Sequence, residues 1–252
     1  TKTASVAGTV AIPSNITTNT IETFEGSFLP AGWAVANPDN GLTWQKAGTG
    51  KYSSGSALVR NYVYYSNGQR DALYTPVFTY VNVDSVKLIF DLSATTRDLA
   101  PTTGLDTLEV LVTKDCGTTF TSVYKKWGAA LQTMGNSDYP LSTEFNPGTH
   151  PFLWRTETID LTSAYASGGP LQVVFRNSTN NQNDTYIDNV NLRTAVLPAR
   201  LKSEGVIATP NPFSEQFNLW FVQAPTSLRY VRVLNSSGQL VWNKGYTNNS
   251  SN

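Results

Sequence analysis

The spacing of apolar residues is the feature that most constrains this chain, because they fall in short runs bounded by turn-forming residues. These short apolar or alternating runs recur at 57–59, 62–65, 86–92, 108–113, 171–176 and 186–192. Turn signals such as Asn40-Gly41, Asn67-Gly68 and Gly168-Gly169 separate them. Short strands at regular spacing predict an all-β fold, an antiparallel two-sheet jelly-roll sandwich.

The balance of charges and the single cysteine argue against some kinds of partner and against a disulfide-stabilised fold. The chain has 18 basic and 18 acidic residues, so no net field favours nucleic acid or an anionic membrane. We therefore expect no nucleic-acid partner. Its single cysteine, Cys116, rules out an internal disulfide, and we expect that thiol to be packed and inert. A transmembrane segment is not expected, since no apolar run is long enough to cross a bilayer.

Four segments are predicted along the chain. Residues 1–20 form an N-terminal linker or a first strand, and residues 21–194 form the sandwich. Residues 195–204 read as a linker because they contain Pro198 and little alternation. Residues 205–252 hold three or four short strands, enough for a small, incomplete β domain.

A set of motifs in the predicted sandwich resembles one known family. The motifs, in chain order, are Ile21-Glu22-Thr23-Phe24-Glu25-Gly26, Pro30-Ala31-Gly32-Trp33, Leu88-Ile89-Phe90-Asp91, Asp115-Cys116-Gly117, Trp154-Arg155-Thr156-Glu157 and Tyr186-Ile187-Asp188-Asn189-Val190. This order resembles the cleaved-adhesin, or choice-of-anchor J, jelly-roll modules of Bacteroidota surface proteins. Such modules occur in gingipain-type adhesins and downstream of pappalysin-like metalloproteases. The resemblance implies an accessory module, with any catalytic domain upstream of this chain.

The last segment resembles the start of a different kind of domain. Pro210, Asn211, Pro212 and Phe213, followed by a strand pattern and Gly238, look like the opening of a type A sorting domain of the type IX secretion system. That resemblance implies a cargo protein whose partners are the outer-membrane translocon and shuttle proteins. It also implies a protein secreted across the outer membrane, either extracellular or anchored at the cell surface. The final strands of such a domain are not found before Asn252, so we expect the sorting domain to be truncated here.

The jelly-roll resemblance also implies a structural calcium ion. In related sandwiches, calcium ties the first strand to the last through the Glu of a Phe-Glu pair and the Asp of an Ile-Asp-Asn run. Glu25 and Asp188 stand at those places, and the loop of residues 51–56 is expected to add backbone carbonyls. Alternatively, Glu25 and Asp188 are separate surface or turn carboxylates.

Other carboxylates are weaker candidates for a second oxygen-rich site. Asp39-Asn40 and Asp106 are two of them, and the pair Asp71 and Glu109 is a third. Asp and Asn are frequent in turns for local hydrogen-bonding reasons, so turn chemistry is the favoured interpretation.

Catalysis is not predicted. His150 is the single histidine, which excludes paired-histidine zinc sites, and no Gly-x-Ser-x-Gly motif accompanies it. Most aromatic residues of a sandwich belong in its core, but Trp127, beside Lys125 and Lys126, is a candidate platform for stacking on sugar rings.

Two functions remain open from the sequence. The first is a non-catalytic accessory or binding module of a secreted cell-surface protein, exported by the type IX system. The second is an adhesin module with its own glycan or host-surface ligand.

Overall fold

The computed structural model describes residues 15–80, 82–98, 104–135, 139–148, 150–209, 217–223, 225 and 227–245, with side chains from residue 21 onward. The predicted sorting residues Pro210, Asn211, Pro212 and Phe213 lie outside the described residues. Two compact units are present, one of residues 16–196 and one that contains residues 197–252.

The described residues form sixteen strands, three short α-helices and two 3-10 helices. The strands are β1 Asn15–Glu22, β2 Ala34–Ala36, β3 Gln45–Ala47, β4 Ser56–Val59, β5 Arg70–Tyr74, β6 Phe78–Thr79, β7 Ser85–Ala94, β8 Thr107–Thr113, β9 Thr121–Trp127, β10 Arg155–Asp160, β11 Pro170–Ser178, β12 Thr185–Val196, β13 Val206–Thr209, β14 Asn218–Phe221, β15 Tyr230–Leu234 and β16 Leu240–Gly245. The α-helices are α1 Gly128–Leu131, α2 Thr162–Tyr165 and α3 Ala199–Glu204. The 3-10 helices are Asn61–Val63 and Pro151–Leu153.

Two antiparallel sheets make the first unit. One has the strand order β10-β7-β12-β4-β3, with β1 also paired to β12. The other has the order β2-β5-β11-β8-β9, with β6 also paired to β11. The predicted two-sheet antiparallel sandwich is confirmed. The strand β1, Asn15–Glu22, begins in the predicted N-terminal segment of residues 1–20 and ends in the predicted sandwich.

The core lies between the inner faces of the two sheets. Alternation along each strand supplies it, as with Phe90 of β7 and Phe175 of β11, which are fully buried and meet edge to face at 5.2 Å. A smaller cluster around Phe145, Trp154 and Tyr186 packs on the outer face of the β7 sheet, under the segment that precedes β10. Both faces of the centre of that sheet are therefore covered.

Three local expectations differ from the structure. Residues 62–65 were predicted to be extended, but Asn61–Val63 is a 3-10 helix. Asn61 of this helix is buried, and its side chain donates a hydrogen bond to Asn177. The predicted linker of residues 195–204 holds the end of β12 and the helix α3. Cys116 was expected to be packed, but it is exposed in the turn after β8, where its φ is 55°.

A buried aspartate fixes the loop between β11 and β12. The Asp106 carboxylate accepts hydrogen bonds from the N–H groups of Gln182 at 3.2 Å and Asn183 at 3.0 Å, and a further one from that of Asn180. Burial raises the pKa of Asp106 to about 7, although these backbone donors oppose the rise. Asp106 is therefore more than a local turn residue, because its carboxylate holds a loop that is distant in sequence.

The raised pKa makes stability depend on pH. The unfolded carboxyl has a pKa of about 3.9, so between that value and about 7 the folded state retains a proton that the unfolded state releases. This proton stabilises the folded state at low pH, and the contribution is lost as the pH rises through about 7. Between pH 6 and pH 8, the free energy of unfolding should fall by roughly 1 kcal/mol more in the parent than in Asp106→Asn. Urea unfolding at several pH values measures this, with Asp115→Asn expected to keep the parental slope. Equal slopes for the parent and Asp106→Asn would contradict the prediction.

The second unit contains two antiparallel pairs, β13 with β14 and β15 with β16. Large apolar side chains on the second pair are more than half exposed, among them Leu234, Leu240 and Val241. Two-stranded pairs with exposed apolar side chains have little independent stability.

We expect the second unit to open more readily than the sandwich. Amides of β14 and β15 should exchange with deuterium faster than those of β11, because β11 is paired on both sides and carries core residues. Native-state hydrogen exchange followed by mass spectrometry measures the difference. Equal protection of β11, β14 and β15 would show that residues 205–252 are as stable as the sandwich.

Candidate metal site

Asp188 is placed by an irregularity in the central strand β12. The pairing of β12 with β7 shifts between Asp188 and Asn191, and Asn189 has a φ of 50°. This bulge lets Ile187, Val190 and Leu192 all enter the core while Asp188 lies on the opposite face. Asp188 is nevertheless fully buried.

Glu25 comes from the other end of the sandwich sequence. It follows Phe24, whose ring is buried against Trp33 and whose φ of 55° is uncommon for a residue with a side chain. Lys46 donates hydrogen bonds to the carbonyl oxygens of Glu25 at 2.7 Å and Gly26 at 2.6 Å. The carbonyl oxygen of Phe24 is directed elsewhere, toward Gly55.

The loop of residues 50–55, between β3 and β4, joins these two carboxylates. The N–H of Lys51 donates to Asp188 Oδ2 at 2.9 Å, and the hydroxyl of Ser54 donates to Glu25 Oε2 at 2.7 Å. The loop is closed on itself by a hydrogen bond of 3.0 Å from Gly50 N to Ser53 O.

Oxygen atoms converge on the two glycines of this loop. A Cβ on Gly50 would lie 2.8 Å from Asp188 Oδ2 and would overlap the Gly55 carbonyl oxygen and the Ser53 hydroxyl. A Cβ on Gly55 would lie 2.8 Å from Glu25 Oε1 and would overlap the carbonyl oxygen of Phe24. Two carboxylates, two backbone carbonyls and one hydroxyl therefore lie against these two glycines, at positions where a side chain would not fit.

The two carboxylates differ electrostatically. Burial raises the pKa of Asp188 to about 6; the N–H groups of Lys51 and Asn189 oppose this, and the charges of Asp91 and Glu25 add to it. The hydroxyl of Ser54 is the main cause that keeps the pKa of the exposed Glu25 below its ordinary value. Glu25 and Asp188 are brought to the same loop by their hydrogen bonds with Ser54 and Lys51.

The donor set fits a hard cation. Calcium binds six to eight oxygen ligands from carboxylates, carbonyls and water, and no thiol or imidazole is needed. No group of three or more acidic, His or Cys side chains is assembled in the described part of the chain, so backbone and hydroxyl oxygens would have to complete the shell.

Neighbouring residues that the sequence reasoning did not single out support the site. Asp91 lies directly opposite Asp188 on β7. It is paired with Lys51 Nζ at 2.8 Å and accepts hydrogen bonds from Thr156 at 2.5 Å and Asn189 at 2.9 Å. The loop itself was expected from residues 51–56, and the two glycines five residues apart, with serines between them, are a further sequence signal for it.

The other residues that the sequence analysis singled out belong to other elements of the chain. Trp127, at the end of the edge strand β9, is 52% exposed. Gly238 has a φ of 77° in the turn between β15 and β16, where its N–H bonds the carbonyl of Asn235 at 3.0 Å. The ring of His150 packs against Phe152 at 5.3 Å.

Comparison of the fold finds similar solved structures. The K1 cleaved adhesin domain of Lys-gingipain from Porphyromonas gingivalis W83 is 20% identical, with 69% of this chain and 97% of that chain covered and a TM-score of 0.47. The K3 cleaved adhesin domain of the same protein is 17% identical, with 69% and 97% covered and a TM-score of 0.48. TmCBM61, solved with β-1,4-galactotriose, is 12% identical, with 68% and 92% covered and a TM-score of 0.39.

No protein-family model and no curated protein matches the chain. The similarity to solved structures concerns the fold of the sandwich alone. No helix in the described residues has the length and apolar character needed to span a bilayer.

Removal of calcium should lower the melting temperature. Extracellular modules bind calcium with a Kd of roughly 0.1 to 1 mM. At about a hundredfold excess over Kd, binding to the folded state adds roughly 2.7 kcal/mol. For a unit of this size, that free energy corresponds to a decrease of about 5 to 10 °C on chelation.

Chelation should no longer lower the melting temperature of Glu25→Gln or of Asp188→Asn, because each variant removes one carboxylate ligand. Differential scanning calorimetry with and without chelator measures the change. Glu204→Gln, an exposed position in α3, is the matched control and should keep the parental decrease. If the parent, Glu25→Gln and Asp188→Asn all respond equally to chelator, these carboxylates do not bind calcium.

Proposed function

We propose that the sandwich is a non-catalytic, calcium-stabilised binding module of a secreted cell-surface protein. The observation that carries this proposal is the convergence of Glu25, Asp188 and three further oxygens on the loop of residues 50–55. The ligands come from the segment after β1, from the β3–β4 loop and from β12. A cation at this place would hold together parts of the chain that are far apart in sequence.

The chemistry of the site supports a structural role. Asp188 is fully buried and bonded by backbone N–H groups, and the glycine loop leaves little room for a substrate beside it. Calcium in extracellular fluid reaches concentrations at which weak sites fill, so such an ion would stabilise the module after export.

We further propose that residues 205–252 belong to a type IX sorting domain. The support is the sequence pattern around Pro210, Asn211, Pro212 and Phe213, together with the strand pairs and the Gly238 turn that follow. The partners in this proposal are the outer-membrane translocon and its shuttle proteins, and the location is the cell surface or the medium.

Deletion of residues 205 onward from the full-length precursor should abolish export. In the bacterium that makes the protein, the deleted form should remain in the periplasm, because the segment read by the translocon is gone. Fractionation and immunoblotting measure the distribution, and substitution of Trp127 by Ala is a control that should leave export unchanged. Normal surface display of the deleted form would remove the basis for the sorting assignment.

A glycan-binding adhesin is the second candidate, and the exposure of Trp127 favours it. An indole on an edge strand, 52% exposed beside Lys126, can stack on a sugar ring. Binding on a glycan array that is lost in Trp127→Ala, and kept in Tyr230→Ala with its similarly exposed ring, would favour this function.

A further inference from the structure

The outer face of the sheet β2-β5-β11-β8-β9 carries an ordered row of side chains from four neighbouring strands. Thr107 of β8 lies opposite Trp127 of β9 and also opposite Ser178 of β11. Ser178 in turn lies opposite Arg70 of β5. Residues that stand directly opposite each other in an antiparallel pair share one face of the sheet. Trp127, Thr107, Ser178 and Arg70 therefore form a single row across this face.

The row faces away from the core, because alternate residues of the same strands fill the space between the sheets. Leu108, Leu73 and Phe175 are fully buried in the core. Each of them lies an odd number of positions from a member of the row, and side chains at odd spacing point to opposite faces of a strand. In keeping with this direction, Trp127 is 52% exposed and Arg70 is exposed as well.

The row has small side chains in its centre and large ones at its ends. Thr107 and Ser178 carry short side chains with hydroxyl groups, whereas an indole and a guanidinium stand on either side of them. Neighbouring strands are about 4.8 Å apart, so the backbones of Trp127 and Arg70 are separated by roughly 14 Å across the sheet. The row is therefore a trough with a polar floor, long enough for a short oligosaccharide.

A second row, two residues further along the strands, brings positive charge to the trough. Lys125, Glu109 and Arg176 lie side by side on β9, β8 and β11. Glu109 forms an ion pair with Arg176, and the ion pairs of the described residues do not include Lys125 or Arg70. The two rows thus set the positive charges of Arg70, Lys125 and Arg176 against the negative charge of Glu109. This local excess stands on a chain that has no net charge.

We propose that this trough binds an acidic polysaccharide, one whose sugar rings carry carboxylates. The inference rests on the glycan-binding function given above as the second candidate, and it names the class of sugar. One ring would stack on Trp127. A ring carboxylate would pair with the guanidinium of Arg70, whose planar fork fits the two oxygens of a carboxylate. The hydroxyls of Thr107 and Ser178 would bond to sugar hydroxyls between these ends.

Charge complementarity selects an acidic ligand over a neutral one. A neutral sugar could stack on Trp127, but it would make no use of the positive charge of Arg70 and Lys125. An anionic chain would be attracted by both, because the potential of a surface depends on its local excess of charge.

A glycan array of uronate oligosaccharides, each printed beside its carboxyl-reduced counterpart, tests the proposal. Reduction turns the carboxylate into a hydroxymethyl group and keeps the ring and its stereochemistry, so the comparison isolates the charge. The full chain, with calcium present throughout, should bind at least one uronate about tenfold or more tighter than the reduced counterpart. Isothermal titration calorimetry of that pair measures the ratio, which should decrease as the salt concentration rises.

Three variants separate the parts of the trough. Arg70→Gln should remove the preference for the uronate and leave binding of the reduced counterpart unchanged, because only the carboxylate needs the guanidinium. Trp127→Ala should weaken binding of both ligands. Arg200→Gln removes the same charge at an exposed position in α3, so it is the matched control and should keep the parental preference. All three positions are exposed, so the variants are expected to fold, and circular dichroism establishes that they do.

The outcomes distinguish this inference from the function on which it rests. Equal affinity for a uronate and its reduced counterpart, lost in Trp127→Ala, would overturn the acidic-sugar inference and leave glycan binding standing. No binding to any glycan on the array would overturn both. A preference that persists in Arg70→Gln, or that is lost equally in Arg200→Gln, would also overturn the inference, since the trough would then not be what recognises the carboxylate.

Discussion

The centre of the β7 sheet depends on neutralising two carboxylates that stand directly opposite each other. Asp188 of β12 pairs in register with Asp91 of β7, and like charges in that position destabilise a sheet. Lys51 and Asn189 compensate the charge of Asp91, while backbone N–H groups compensate Asp188. Since β12 also pairs with β1 and β4, the order of the whole sheet rests on this compensation.

The fold could be predicted because the sequence patterns that indicate it lie within single strands and turns. Alternation of apolar residues and turn dipeptides marks strands such as β7, β8 and β11, and the sandwich follows from their number and spacing. The 3-10 helix at Asn61–Val63 was missed because it depends on a distant partner, Asn177, that buries the polar side chain of Asn61. Apolar neighbours in sequence could not reveal that contact.

The candidate sites were predictable only in part. Glu25 and Asp188 were found through resemblance to related sandwiches, and the structure brings them to one loop. Asp71 was grouped with Glu109 from the sequence, but Glu109 forms an ion pair with Arg176, whereas Asp71 is buried on β5. Which carboxylates meet depends on strand register and on the path of loops, and neither is encoded in local composition.

The exposed turn after β8 has a practical consequence. Asp115 accepts hydrogen bonds there from Thr113 and from both donors of Thr119, which holds the turn in one conformation. Cys116 stands in this turn and is the sole cysteine of the chain. A fluorophore or spin label attached to that thiol would stand on a restrained backbone turn, so it would report the tumbling and partner encounters of the sandwich with little contribution from backbone motion.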